Sequence, residues 1–208
     1  ALVDGGQTTA VTISVVDASS ADAYDPVADQ TVTVTTSDND TPAFTLSTTT
    51  ARSILETITV SESGTTATFT AVLEAQPSSD VVLSITSADT GETTVSASTL
   101  TFTNGNWDTA QTVTVTGIDD ALVDGGQTTA VTISVVDASS ADAYDSVADQ
   151  TVTVTTSDND TPAFTLSTTT ATVSESGTTA TFTAVLEAQP SSDVVLSITS
   201  ADTGETTV

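Results

Sequence analysis

The segment "TATFTAVLE", residues 66–74, decides the fold because its side chains alternate with a period of two. Phe69, Ala71 and Leu73 fall on one face of an extended chain, and Thr68, Thr70 and Val72 fall on the other. Stiff, β-branched Thr and Val favour the pleated surface of a half-buried sheet. The segment is therefore predicted to be a β-strand with one face in a core.

The same alternation returns along the chain, as in "DVVLSITS", "STLTFT", "AQTVTVTG", "TTAVTISVV" and "DQTVTVTT". Turn-forming stretches such as "QPSSD", "DGGQ" and "SDNDTP" separate these runs. With the segment before "SESG", roughly seven strands fill one module, as in immunoglobulin-like domains. The pattern predicts an all-β fold, an antiparallel Greek-key β-sandwich in tandem repeats.

Internal identity sets the organisation of the chain. Residues 1–51 return as 121–171 with Pro26 replaced by Ser146, and residues 59–95 return unchanged as 172–208. The segment "RSILETI", 52–58, has no counterpart in the second copy and carries Arg52, the only base.

The repeats predict three units. Residues 1–40 are the C-terminal half of one module, 41–160 a complete module with the insertion 52–58, and 161–208 the N-terminal half of another. The two halves together lack the equivalent of 96–120, so they cannot form a whole unit. Unpaired strand edges would then favour association between copies of the chain.

Charge and residue content exclude several functions. The chain has one Lys or Arg against 28 acids, a net charge of −27, and no His or Cys. Ser-His and Cys-His nucleophile pairs are impossible, so we expect no enzyme. Nucleic acids and anionic membranes need a cationic surface, and no stretch resembles a membrane span. The natural counter-charge of this chain is a metal ion or bulk salt.

Carboxylates gather where the predicted strands end, as in "GIDDALVDGG", 117–126, and "SDND", 157–160. Clustered acids without cations repel one another, so they titrate upward, stay solvated or bind a hard divalent ion. Calcium (Ca2+) takes six to eight oxygen ligands, and the cluster offers no nitrogen or sulfur for softer metals. A solvated acidic surface that aids solubility is the alternative.

The run from "VSESGTTATFTAVLEAQ" through "TGIDDALVDGGQ" to "TVTVTTSDND" resembles the Calx-beta domain. The resemblance implies a calcium cluster at one pole of the sandwich. By that likeness its acids in the complete module are Glu62, Asp89, Asp119, Asp120, Asp124, Asp158 and Asp160. Parts of the site recur in the flanking segments, as Asp4, Asp38 and Asp40, and as Glu175 and Asp202.

Two departures from the family pattern each remove a negative charge. Gln127 stands where the family often has Glu, and Asn159 interrupts the terminal acids. The resemblance therefore implies fewer ions or weaker binding than in calcium-sensing members.

The sequence favours a calcium-rigidified structural spacer of a large bacterial adhesin or matrix protein, located outside the cell or at its surface. Its partners would be the neighbouring modules of the same array. The alternative is a self-assembling extracellular filament whose incomplete ends pair with neighbouring chains. A ligand-binding tip is disfavoured because tips are usually unique and stalks are usually repeated.

Overall fold

The computed structural model describes residues 2–16, 24, 27–48 and 57–208. Arg52 and most of the insertion at 52–58 lie outside these residues. In chain order the strands are β1 (Leu2–Val3), β2 (Gln7–Ile13), β3 (Gln30–Thr36), β4 (Phe44–Thr48), β5 (Thr57–Ser61), β6 (Thr66–Leu73), β7 (Gln76–Pro77), β8 (Val81–Ser87), β9 (Thr93–Val95), β10 (Thr99–Phe102), β11 (Gln111–Gly117), β12 (Leu122–Val123), β13 (Gln127–Val135), β14 (Gln150–Ser157), β15 (Phe164–Leu166), β16 (Ala184–Leu186) and β17 (Gln189–Pro190).

Two sheets form the body of the protein. One has five strands in the order β10-β8-β13-β14-β5, and the other has four in the order β4-β6-β11-β9. Every strand of these sheets lies between Phe44 and Ser157. The predicted all-β sandwich is confirmed.

The pairing inside the sandwich adds two details to the prediction. β14 and β5 pair in parallel, while the other pairs of the two large sheets are antiparallel. The single segment expected before "SESG" comprises β4 in one sheet and β5 in the other. The short strand β9 holds too few residues for its alternation to stand out in the sequence.

The core lies between the two sheets and follows the predicted alternation. Phe69 and Ala71 are 0% exposed and Leu73 is 3% exposed, whereas Thr68, Thr70 and Val72 are only half-buried. Val113 and Val115 of β11 and Val131 and Ile133 of β13 are also fully buried, so both sheets supply the core. Sheet-on-sheet packing of this kind joins the alternate residues of each inner face.

Gly117, the last residue of β11, lets the two sheets approach closely at one end of the sandwich. A Cβ at this position would lie 2.2 Å from the carbonyl oxygen of Ser61, the last residue of β5. The residues that follow these two strands therefore begin side by side. They include Glu62 and the acidic pair Asp119 and Asp120.

Shorter strand pairs lie outside the two large sheets. β2 and β3 form an antiparallel hairpin, and β15 pairs with β16. β1 pairs in parallel with β7, and β12 pairs in parallel with β17, each over two residues. Within the described residues, no helix has the length and apolar character needed to cross a membrane.

Candidate metal centre

Five chain segments bring carboxylates together at the end of the sandwich where Gly117 meets Ser61. They follow β5, β11, β12 and β14 and precede β9. We call their acids the acidic cluster: Glu62, Glu92, Asp119, Asp120, Asp124, Asp158 and Asp160.

Three of these acids have the geometry of a metal site. Glu62, Asp120 and Asp160 each offer a carboxylate oxygen, and the three oxygens lie within 4.8 Å of one another. Among the described residues, this is the only such group of three acids found. Three predicted ligands from three separate segments are therefore brought together.

Glu62 is the most deeply buried acid of the cluster, with 1% of its surface exposed. Its backbone N–H donates to the carbonyl oxygen of Ser157 over 3.2 Å, which extends the parallel pairing of β5 and β14. Burial raises the pKa of Glu62, and the charges of Asp158 and Asp120 raise it further, although an N–H of Asn159 opposes them. The folded chain therefore holds this carboxylate at a free-energy cost that a cation would offset.

Glu92 belongs to the cluster but is absent from the sequence-based prediction, which chose Asp89 from the same loop. Glu92 is 8% exposed, and its backbone carbonyl accepts the N–H of Ile118 over 2.9 Å. Burial, and then the charges of Asp124 and Glu62, raise the pKa of its carboxyl. The sequence alone does not separate Glu92 from Asp89, because both belong to the same loop and only the folded path of the chain buries Glu92.

Asp89 lies exposed in the same loop, and its Oδ1 accepts the N–H of Gly91 over 2.9 Å. Its charge contributes to the raised pKa of Glu92, so it lies at the margin of the cluster.

Three buried carboxylate oxygens of the cluster have no hydrogen-bond partner: Oε2 of Glu92, Oδ1 of Asp124 and Oδ2 of Asp160. An unpartnered buried carboxylate oxygen is costly, and most buried polar atoms in proteins are paired. Burial, followed by the charge of Asp158, raises the pKa of Asp160 in agreement with this arrangement. Each of these oxygens lacks a partner, and of the three residues only Asp160 belongs to the group of acids with the geometry of a metal site.

Asp158 organises the loop that carries Asp124. Its Oδ2 accepts the N–H groups of Asp124 and Gly125 at 3.2 and 2.8 Å, and its Oδ1 accepts that of Asp160 at 2.6 Å. These donors, with that of Gly125 foremost, lower the pKa of Asp158. Gly125 has a φ of +74°, which a residue with a Cβ adopts only with strain.

The two departures from the family pattern have structural functions here. The side chain of Gln127 donates to the carbonyl oxygen of Asp124 over 3.2 Å and so closes the turn. The side chain of Asn159 donates to Oδ1 of Asp119 over 2.8 Å. Each amide supplies a donor that a carboxylate would lack.

The flanking copies of the site are less complete. Asp38 accepts the N–H groups of Asp4, Gly5 and Asp40, which repeats the turn around Asp158. Glu175 and Asp202 are exposed. No group of three clustered acids includes any of the predicted ligands outside 41–160, within the described part of the chain.

The donor set of the cluster fits a hard cation. It consists of carboxylate oxygens, and the only base in the sequence, Arg52, lies outside the described residues. Calcium accepts six to eight oxygens in flexible geometry, whereas magnesium demands a tighter octahedron and keeps its waters. The residues present are therefore suited to calcium.

Comparison with known proteins does not assign the chain to a family. No family model matches the chain, and no curated protein matches it. Among solved structures it is similar to domains 4 and 5 of the S-layer protein SbsC, with 21% identity over 73% of this chain and 58% of that chain and a TM-score of 0.38. The E. coli chaperone DraB gives 4% identity, coverages of 56% and 57% and a TM-score of 0.40.

A further similar structure is SSP-19 of Caenorhabditis elegans, an MSP-domain protein like family member. It is 20% identical over 49% of this chain and 92% of that chain, with a TM-score of 0.33. At these TM-scores the likenesses carry no functional inference, and the fold class rests on the strands of this chain.

Proposed function

We propose that the chain is a segment of a structural spacer of a large secreted or surface-anchored protein, built from Calx-beta-like modules that calcium stiffens. The observation that carries the proposal is the set of unpartnered buried oxygens on Glu92, Asp124 and Asp160. Glu62 and Asp120 add two further carboxylates beside Asp160. Divalent ions bound in the acidic cluster would pair with these oxygens and reduce the repulsion between their charges.

The near identity of the repeats supports a spacer rather than a catalyst. Residues 1–51 and 121–171 differ only at Pro26 and Ser146. Identical copies suit a spacer, because each added module increases the length of the array in the same way. The cluster consists of carboxylates, and carboxylate oxygens are the ligands that calcium prefers.

Calcium binding to the folded state alone would stabilise it by mass action. At a calcium concentration about 100-fold above the dissociation constant, one site contributes about 2.7 kcal/mol. The site joins the segments that follow β5, β11 and β14, so bound ions would hold both sheets together at this end. Stiffness would then depend on the extracellular calcium concentration.

The test is calcium titration by calorimetry, with metal content measured by native mass spectrometry. We expect the Glu92→Gln variant to lose affinity by about tenfold or more, because calcium affinity depends on the number of charged ligands. Its matched control is Glu205→Gln, which changes the repeat copy of the same residue at an exposed position. Equal affinities for the two variants, or no calcium binding to the parent chain at millimolar calcium, would overturn the proposal.

A second candidate function is filament formation by pairing between copies. The strands β2 and β3 have the same sequences as residues 127–133 and 150–156. Yet Val11, Ile13, Val32 and Val34 are 44–63% exposed. Their counterparts in the complete sandwich are buried. Light scattering of the 208-residue chain separates the two candidates, since growth in mass with protein concentration favours the filament and a constant monomer mass favours the spacer.

A further inference from the structure

The same two-residue contact occurs at two places in the chain. Leu2 and Val3 pair in parallel with Gln76 and Pro77. Leu122 and Val123 pair in the same register with Gln189 and Pro190. Both contacts join a Leu-Val dipeptide to a Gln-Pro dipeptide of the module that follows it in the chain.

The contact does not depend on the insertion at 52–58. These residues lie between the partners of the first contact and have no counterpart between those of the second. The register is nevertheless the same in both contacts, so the repeated residues around the two dipeptides are sufficient for the pairing.

Apolar packing and a backbone hydrogen bond support the contact. Val3 is 4% exposed and belongs to the core cluster that includes Phe44, Leu73 and Ala75. In the second contact the N–H of Gln189 donates to the carbonyl oxygen of Ala121 over 2.8 Å. The first module therefore places a valine in the core of the second.

Proline limits how far the pairing extends. Pro77 and Pro190 have no N–H, so neither can donate to a strand that runs further along this edge. A two-residue partner suits such an edge, whereas a longer strand would leave its own acceptors unpaired.

The Leu-Val dipeptide is held in place by neighbouring acids. Oδ1 of Asp120 accepts the N–H of Leu122 over 2.7 Å. After the dipeptide, Asp124 donates its N–H to Asp158. The Asp4–Asp38 contact repeats this second restraint in the first copy. The dipeptide is thus presented in extended form by the loop that contains it.

We propose that the Leu-Val dipeptide is a docking strand by which each module binds the Gln-Pro edge of the next module of the same sequence. The partner is the following repeat, and the joint fixes the orientation of the two modules. The joint goes beyond the proposed calcium function, because backbone pairing forms it at both places and a buried valine, Val3, adds to the first.

Disulfide trapping tests the joint directly, since the chain contains no native Cys. We expect Leu2→Cys with Gln76→Cys, and Leu122→Cys with Gln189→Cys, to crosslink within one chain on mild oxidation. Directly paired positions fall in the range of Cα separations that a disulfide spans. Oxidation is carried out in EGTA, so that the result is independent of calcium binding.

The matched control combines the same residue types from different joints, as Leu2→Cys with Gln189→Cys. We expect no intramolecular crosslink in this variant. Failure of both matched pairs to crosslink, or equal crosslinking of the mismatched pair, would overturn the docking strand.

Hydrogen exchange gives a second measurement on the unmodified chain, so its result does not depend on whether a cysteine variant folds. The amide of Gln189 should exchange at least about tenfold more slowly than an unstructured amide, because it is hydrogen-bonded to Ala121. Exchange at the unstructured rate would contradict the joint.

Discussion

The backbone N–H of Asn159 donates to Oε2 of Glu62 over 3.1 Å, although 97 residues separate them. The same asparagine donates from its side chain to Oδ1 of Asp119. Asn159 therefore joins the segments that follow β14, β5 and β11. The sequence suggested a lost ligand at this position, whereas the structure shows an amide that donates hydrogen bonds to two of the clustered acids.

Replacing this amide by a carboxylate should separate its effect on the stability of the calcium-free chain from its effect on calcium affinity. We predict that Asn159→Asp lowers the stability of the calcium-free chain, because the donor to Asp119 becomes another carboxylate. In calcium the same variant should bind more tightly, by about tenfold, since one more charged ligand is available. Thermal melting in EGTA and calorimetry in calcium measure the two outcomes.

The control is Asn39→Asp, which makes the identical change in the first copy of "SDND". Asn39 is exposed, and residues 1–40 contain no Glu that could correspond to Glu62. We expect little change in either measurement. A loss of calcium affinity in Asn159→Asp would contradict a site limited by its negative charge.

Acidification should stabilise the calcium-free chain. Burial raises the pKa values of Glu62 and Glu92, so the folded state binds protons more readily than the unfolded state. Their destabilising effect is complete above the raised values and declines as the pH falls toward about 4.3, the ordinary pKa of Glu. Melting temperatures in EGTA should therefore rise as the pH is lowered from 7 toward 5.

The opposite trend should begin at lower pH. Backbone N–H groups lower the pKa values of Asp158 and Asp38, so these carboxylates stabilise the fold above about pH 3.9, the ordinary pKa of Asp. That stabilisation is lost as the pH falls through the lowered values. The double variant Glu62→Gln and Glu92→Gln should flatten only the upper limb, and an unchanged upper limb would contradict the assignment.

The close approach at Gly117 should be essential for assembling the cluster. In Gly117→Ala, the new methyl group would meet the carbonyl oxygen of Ser61, and backbone atoms of both sheets would have to move. We expect a loss of about 1–3 kcal/mol, as for other overpacked sites, together with weaker calcium binding. Denaturant unfolding and calorimetry provide the two measurements.

Gly105→Ala is the matched control for this substitution. Its nearest neighbour, Oγ1 of Thr103, would lie 3.9 Å from the added Cβ, which is ordinary contact. Comparable destabilisation in the two variants would show that loss of glycine itself, rather than the approach to Ser61, is responsible.

The sandwich could be predicted because period-two alternation is a local property of the chain. Phe69, Ala71 and Leu73 lie in the core as their positions in β6 require. The alternation does not show that β4 and β5 belong to different sheets, because pairing with other strands decides which sheet each strand joins. Parallel pairing of β5 with β14 is likewise a property of the whole fold.

Charge and the family resemblance predicted which acids would cluster, but they did not predict how deeply each acid would be buried. Asp89 and Glu92 lie in one loop with similar sequence signals, and only the path of the chain buries Glu92. The docking of Leu122 and Val123 carries no signal in the periodicity, because two residues are too few to define a strand.

Tyr144 links the two halves of the complete module and offers a test of its cohesion. It lies in a 3₁₀ turn, Asp142–Tyr144, is 0% exposed, and donates its hydroxyl to the carbonyl oxygen of Ala75 just before β7. Tyr144→Phe keeps the ring and leaves this carbonyl without its donor. We predict a loss of about 1–2 kcal/mol in the free energy of unfolding.

Tyr24→Phe is the control for this prediction, because Tyr24 has the same neighbours in sequence but is 62% exposed. Urea denaturation should show no more than about 0.5 kcal/mol of change for this variant, as for most surface substitutions. Equal losses at the two positions would mean that Tyr24 is buried in solution as Tyr144 is, which would require the hairpin β2–β3 to pair with another copy. The comparison therefore also separates the spacer from the filament.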